Sequence, residues 1–373
     1  MAMKILVMGG AGDMGSKTVE DLAGAEGVET VTIGDRNIAA AGDLAARLAG
    51  SSAAVTTLAV DAADMRGLVE AMTGQDVVAS ALGPFYMFET RLVAAALEAG
   101  VDYISICDDW CAAQDTIIRF DGPARDRSRM VVSGCGVSPG MSNIAVRLLA
   151  EQLDRARRAD ILVYMPTDSG EGEAVTKHTL FIFGTVVPVF RNGATMMLPA
   201  GSLHRTVDFP RFGRLKVWNI GHGEPVTVPR HLPDLEEVNI MLGMGRGTGA
   251  FVALGRLGAF SSPKRIDRMA GLLLKVSPGN TGPPSEGALR VDVSGDKDGS
   301  PCTLSVFGTG TMRDATGIAL SIGAQLLGGK RLTVEQGGVY GPEGCFDPGE
   351  FLQMMGSSGI TAYRDIDMRE PIN

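Results

Sequence analysis

Gly10-Ala11-Gly12-Asp13-Met14-Gly15 is a GxGxxG run, and Asp35 stands 20 residues past its last glycine. An apolar run, Lys4 to Met8, leads into the glycines, and a helical pattern follows from Ser16. In that setting the run is a fingerprint for the diphosphate of a dinucleotide, with a physical task for each part. Gly10 is expected to permit the tight turn. Gly12, without a Cβ, lets the diphosphate approach the backbone, with Asp13 and Met14 beside it. Gly15 lets helix and strand pack closely. The first helical N–H groups and the partial positive charge of the helix end then face the phosphates. The competing reading is a glycine-rich turn that holds no ligand.

Asp35 ends a second β-branched run, Val28 to Ile33 followed by Gly34. A carboxylate there accepts hydrogen bonds from ribose hydroxyls and repels a 2′-phosphate, which favours NAD. Arg36 follows directly and is able to clamp a 2′-phosphate or stack on adenine, so NADP stays open. Asp61 ends a third run and either faces the adenine or caps a helix.

In open parallel sheets ligands lie beyond the carboxyl ends of the strands. Those ends carry Gly83-Pro84 and Cys107-Asp108-Asp109. Gly83 allows a close approach to the nicotinamide ribose. Asp108 and Asp109 point to different sides of extended backbone, so at most one faces a ligand, and Asp109 alternatively caps the next helix. The turn Gly136-Val137-Ser138-Pro139-Gly140 continues into Ser142-Asn143, which can cap a helix or form a cleft wall.

A proton shuttle near neutral pH points to histidine, and there are four: His178, His204, His222 and His231. His178 follows a Gly/Glu-rich stretch, and His222-Gly223-Glu224-Pro225 follows an apolar run. These two, with Asp108, are the candidate acid–base groups. Arg191, Arg211 and Arg230 are candidates for pairing with a substrate carboxylate. Arg230 and Glu224 are the expected substrate-side pair.

The elements that must hold these groups alternate. Strands are expected at Lys4 to Met8, Val28 to Ile33, Ala54 to Val60, Asp76 to Ala81, Tyr103 to Ile106 and Arg129 to Ser133. Helices are expected at Ser16 to Ala23, Ile38 to Leu48, Met65 to Met72 and Thr90 to Ala99. That rhythm implies a doubly wound parallel sheet. After residue 140 the texture changes. A helix at Asn143 to Leu153 is followed by strand-like runs at Ile161 to Tyr164, Arg214 to Ile220, Ala288 to Val293 and Cys302 to Phe307. Helical pattern is sparse apart from Arg265 to Leu274. The expectation is an α+β domain on one open antiparallel sheet. Residues 275–287 read as a surface connector or a mobile flap. Thr316 to Leu327 is again helical. The expected division is 1–140 for dinucleotide binding, 141–311 for substrate and dimer contact, and 312–373 returning to the first domain.

The chain has 373 residues, 45% of them hydrophobic, enough for two domains with a sizeable core. A net charge of −9 argues against a nucleic-acid partner. Five cysteines without a CxxC pair give neither a disulfide framework nor a zinc site, and no metal is expected. No signal-peptide pattern opens the sequence and no long apolar stretch spans a membrane, so the cytoplasm is the expected compartment.

The chain resembles the saccharopine dehydrogenase-like oxidoreductases, in the branch with L-lysine 6-dehydrogenase and saccharopine reductase. GGAGDMG, ALGPFYMFETRLVAAALEAGVDYISI, GCGVSPGMSNIA, FRNG at Phe190, RFGRLKVWNIGHGEPVTVPRHLP, GIALSIGAQLL and GGVYGPEGCFDPGEF carry the likeness. It implies a Rossmann domain completed by the C-terminal segment, an inserted substrate domain and a homodimer. It also implies hydride exchange between a nicotinamide and a C–N bond of an amino-acid-like small molecule. By position it puts Gly83 and Pro84 at the nicotinamide, and Pro139, Gly140 and Asn143 along the cleft. One departure stands out. Saccharopine reductases carry an acid within a VDITGE-like strand where this chain reads Ile104-Ser105-Ile106-Cys107-Asp108-Asp109, so the acid has moved or been replaced. The rival readings are a dinucleotide sensor without catalysis and a reductase of lipid-like carbonyl or enoyl substrates.

Overall fold

Ile5, Leu6, Val7 and Met8 have no exposed surface, which only a strand covered on both faces requires. They belong to β1 (Met3–Met8), the centre of a parallel sheet. The computed structural model describes residues 2–166, 173–184, 186–245, 247–276 and 285–372. From β1 the chain runs through α1 (Asp13–Gly24), β2 (Val28–Asp35), α2 (Ile38–Arg47), β3 (Ala54–Ala59), α3 (Met65–Met72), β4 (Val77–Ser80), α4 (Phe85–Ala99), β5 (Asp102–Ser105), α5 (Trp110–Asp126), β6 (Met130–Ser133) and α6 (Met141–Ala150).

A second stretch holds β7 (Arg155–Tyr164), α7 (Glu173–Ile182), β8 (Val186–Arg191), β9 (Ala194–Pro199), β10 (His204–Phe209), β11 (Gly213–Asn219), α8 (Glu224–His231) and β12 (Glu237–Gly243). It continues through α9 (Thr248–Arg256), α10 (Pro263–Val276), β13 (Glu286–Lys297) and β14 (Ser300–Thr311). The chain then forms α11 (Met312–Gly328), β15 (Gly338–Tyr340) and α12 (Pro348–Ser357).

Two compact units result: Met1–Ile144 with Arg313–Gly359, and Ala145–Met312 with Ile360–Asn373. In the first, seven parallel strands lie in the order β15-β6-β5-β4-β1-β2-β3. The break in order at β1, with β2 on one side and β4 on the other, is the switch point at which such sheets open a crevice. Val78, Leu92, Val93, Ala96 and Tyr103 fill one layer of the core. The small residues of α11 fit it onto α1: a Cβ on Gly317 would lie 2.6 Å from the Lys17 side chain. Thr18 Oγ1 donates to Gly317 O at 3.0 Å.

The second unit differs from the expected antiparallel sheet. Its sheet is mixed, in the order β10-β11-β12-β7-β13-β14, and β12 runs parallel to β7. The long excursion between those strands supplies the crossover a parallel pair needs. Polar residues cross its centre in register: Ser305, Asp292, Asp160 and Asn239 lie side by side on β14, β13, β7 and β12. The segment expected to return whole at 312–373 divides. Residues 360–373 lie with the second unit, where Tyr363 pairs with Phe307 beside β14. Most of the 275–287 connector and of the Gly/Glu-rich stretch before His178 lies outside the described residues.

Candidate functional site

The glycine turn joins β1 to α1 at the switch point. Gly9, not Gly10, supplies the left-handed residue, with φ +71°. Gly10 is needed for space: a Cβ there would come 2.9 Å from Val7 O and 3.0 Å from the Ile33 side chain. At Gly15 the Cβ would fall 2.1 Å from Gly9 O, so helix and turn meet backbone to backbone. Gly12 is the N-cap of α1 and has no side chain to offer the first-turn N–H groups. It is exposed, as is Asp13, while Met14 is half-buried. The chain thus presents a helix start with room for an anion over it, which suits a diphosphate.

Asp35 bonds within the chain itself. Its Oδ2 accepts from Ala11 N–H at 3.1 Å and its Oδ1 from Asn37 N–H at 2.9 Å. It therefore ties the glycine turn to the start of α2 and stays half-buried, with Arg36 exposed beside it. Asp61 is exposed, and its Oδ1 accepts from Ala63 N–H at 2.8 Å. It closes a small turn, and Asp64 is the N-cap of α3. Arg313, which spacing did not single out, reaches the same end of α1. Its Nη2 lies 3.1 Å from Ser16 Oγ and 3.0 Å from Glu20, and its Nε lies 3.6 Å from Asp13 Oδ1. Only the fold brings α11 there, so no local pattern could have found it.

At the strand ends, Gly83-Pro84 caps β4 and is half-buried. A Cβ on Gly83 would meet nothing nearer than the Phe85 ring at 3.9 Å. Side-chain packing alone does not demand glycine there. Asp108 is half-buried. Asp109 is buried at the N-cap position of α5, yet its Oδ2 accepts from Tyr86 N–H at 3.0 Å, at the start of α4. The expected cap on the next helix is a cap on the preceding one. Burial pushes the Cys107 thiol well up and that of Cys111 to about 11, so neither is a thiolate nucleophile near neutral pH.

Glu89 is the residue that sequence reading missed. It is fully buried, and its carboxylate accepts from Ser105 Oγ at 2.6 Å, Tyr103 OH at 2.8 Å and Ser133 Oγ at 3.3 Å. Desolvation raises its pKa to about 7, and the three hydroxyls hold it from going higher. Ser105 ends β5, so the acid missing from that strand reaches it from α4.

The turn before α6 corrects an expectation. Pro139 and Gly140 are buried, and Asn143 has no exposed surface. Gly140, at φ +135°, leaves no space: a Cβ would lie 1.9 Å from Gly136 O. Asn143 Oδ1 accepts from Gly140 N–H at 3.3 Å and Ser142 Oγ at 3.0 Å, and its Nδ2 donates to Glu343 at 2.9 Å. Asn143 braces the turn from inside and does not line a cleft, because its amide is enclosed.

In the second unit the two histidines meet. His178 on α7 and His222 in the loop before α8 have ring centroids 5.9 Å apart, edge to face. Gly221 N–H donates to Ile182 O at 3.0 Å, tying that loop to the end of α7. Glu224, expected on the substrate, is fully buried, and its Oε2 lies 2.6 Å from His222 Nδ1. An ionised carboxylate accepts only, so the hydrogen of this bond sits on Nδ1. Glu224 is thus an enclosed partner that fixes the His222 ring. Arg230 is exposed in the last turn of α8, six residues and about 9 Å along the axis from Glu224. Arg211 pairs with Glu286 at 3.0 Å on the surface.

Comparison with known proteins agrees with this geometry. Residues 5–131 match the family described as the saccharopine dehydrogenase NADP binding domain. A carboxyaminopropylagmatine dehydrogenase of Synechocystis is 22% identical over 253 residues, 64% of this chain and 62% of that one. A Mycobacterium tuberculosis protein named as a trans-acting enoyl reductase is 29% identical over 147 residues, 39% of this chain and 35% of that one. The chain therefore spans less than two thirds of either relative. Among solved structures, the apo saccharopine dehydrogenase (L-Glu forming) of Saccharomyces cerevisiae has the same fold. Its TM-score is 0.68 at 13% identity, covering 97% of this chain and 99% of that one. Residues 5–131 thus match a saccharopine dehydrogenase NADP binding domain, and the chain shares the fold of a saccharopine dehydrogenase.

Proposed function

We propose that the chain binds a nicotinamide dinucleotide on the glycine turn and moves hydride at a C–N bond of an amino-acid-like or opine-like substrate. The observation that carries this reading is the turn from Gly9 to Gly15. Its backbone leaves no space for side chains on one side and ends in a helix start without a side-chain cap on the other. When bound, the dinucleotide supplies the carbon that accepts or gives the hydride.

The chain's own groups do the rest. The N–H groups at the start of α1 hold the diphosphate. Asp35 keeps the turn closed and takes the adenine ribose, favouring NAD, with Arg36 the group that would admit NADP. Asp61 is at the adenine end of the same edge. Gly83 and Pro84 give the nicotinamide half its close approach. His222 Nε2 takes a proton from the substrate ammonium, so that loss of hydride from the carbon of the neutral amine leaves an iminium cation. The Nδ1–H bond to Glu224 steadies the imidazolium that forms. His178 and Asp108 are further proton-handling groups, and Arg230 is the nearest exposed cation in sequence for a substrate carboxylate.

The likeness to an enoyl reductase favours one alternative, reduction of a lipid-like enoyl or carbonyl substrate on the same nucleotide. A dinucleotide sensor is the other. The resemblance also supports a cytoplasmic homodimer acting on a small molecule. Among the described residues no helix is long and apolar enough to cross a membrane.

The test is a titration with NADH and NADPH followed by a turnover screen with amino acids, opines, keto acids plus amines, and enoyl thioesters. Micromolar binding and turnover of an amine or imine is expected. Turnover of enoyl substrates alone moves the reading to the alternative, and binding without turnover moves it to a sensor. Failure of either nucleotide to bind at millimolar concentration overturns it.

A further inference from the structure

Glu89 is a buried acid of the first unit that the proposed hydride transfer does not use. Glu89 sits four residues into α4, about 6 Å along the helix from Phe85, where the chain leaves the Gly83-Pro84 turn. The groups that face it are Tyr103 and Ser105 of β5, Ser133 of β6, and Cys107 and Asp109 in the loop after β5. Every one is neutral or acidic. Ser105 and Ser133 are the last residues of their strands, so the carboxylate lies directly beneath the carboxyl ends of β5 and β6. Among the described residues none facing it is a cation, and an ionised carboxylate enclosed in this way lacks a counter-charge from them.

An oxidised nicotinamide ring carries a positive charge and a reduced one does not. We propose that Glu89 is the buried counter-charge of the nucleotide site, favouring the oxidised, cationic nicotinamide over the reduced, neutral one. The inference rests on the nucleotide-binding reading above. Linkage gives its sign. Binding of the oxidised form draws a proton off Glu89, so its affinity rises with pH through the range near 7 where the group titrates. The reduced form brings no charge and its affinity stays flat. At an effective dielectric near 20, a full charge of this kind is expected to change the affinity ratio by on the order of tenfold.

The experiment measures dissociation constants of NAD and NADH, or of NADP and NADPH, from pH 5.5 to 9 in the full chain and in Glu89→Gln. The oxidised-to-reduced ratio is expected to improve about tenfold from pH 6 to 8.5 in the wild type and to stay level in Glu89→Gln. Ser133→Ala, which removes a bond that favours the charged form, is expected to move the inflection to higher pH and serves if the glutamine variant does not fold. Calorimetry of the wild type in buffers of different ionisation enthalpy is expected to show proton release with the oxidised form only. A ratio level with pH in the wild type, or one that changes alike in Glu89→Gln, overturns the inference while nucleotide binding stands. If neither redox form binds, the nucleotide reading itself fails.

Discussion

At the glycine turn of the first unit, consecutive residues carry the geometry. At the histidine pair of the second, His178 and the His222–Glu224 dyad arrive from elements separated by two β-hairpins. The turn works through backbone: what matters at Gly10 and Gly15 is the absence of an atom. The pair works through side chains whose positions depend on a whole sheet. The difference teaches that one site is fixed by local sterics and should fail by clash or loss of binding. The other is fixed by tertiary placement and should fail by loss of chemistry with binding intact.

The sharpest way to break that contrast is His222→Ala. Turnover is expected to fall by about 10²–10⁴-fold, the usual range for a positioned acid–base group, with nucleotide affinity unchanged. Steady-state kinetics beside a nucleotide titration checks it, and equal loss of both would show that the two sites do not separate. Next comes the acid in the first unit. Folding raises the Glu89 pKa from its ordinary 4.5 to about 7. The folded state then binds more protons than the unfolded chain between those values. The stability this gives is full below about 4.5 and lost as pH rises through 7, up to about 3 kcal/mol in all. Denaturant unfolding at pH 5, 7 and 9 should show Glu89→Gln gaining on the wild type as pH rises; parallel curves would refute it.

Gly15→Ala is expected to cost about 1–3 kcal/mol, as overpacking does, and more than tenfold in nucleotide affinity, because its Cβ would lie 2.1 Å from Gly9 O. Unchanged melting and binding would mean the turn is not backbone-limited. The smallest effect belongs to Gly83→Ala. With its nearest neighbour 3.9 Å away, stability should stay within about 0.5 kcal/mol while nucleotide affinity falls. An affinity equal to wild type would remove Gly83 from the site.

The same contrast explains what the sequence made legible. Strands β1, β4, β5 and β6 announced themselves as apolar runs because the middle of a parallel sheet is buried on both faces. The GxGxxG spacing was readable because its constraint lies within six residues. The spacing names glycines without saying which needs positive φ, and that residue is Gly9, which lies just before the run. In the second unit the polar row of Asp160, Asn239 and Asp292 breaks the apolar pattern of its strands. The parallel pairing of β7 with β12 is non-local as well. Helix α5 was overlooked because it is polar and carries Pro123. Glu89 looked like any acid on an amphipathic helix, and only the three hydroxyls from β5 and β6 reveal that it points inward.

Strand β15 lies beside β6, and α11 covers α1, although both are encoded far downstream of their partners. On the ribosome, β6 therefore leaves the exit tunnel as an open edge and stays one while the entire second unit is translated. Such an edge invites pairing with a neighbouring nascent chain. The first unit is thus begun before the second and sealed after the bulk of it is made, and its maturation waits on translation reaching Tyr340.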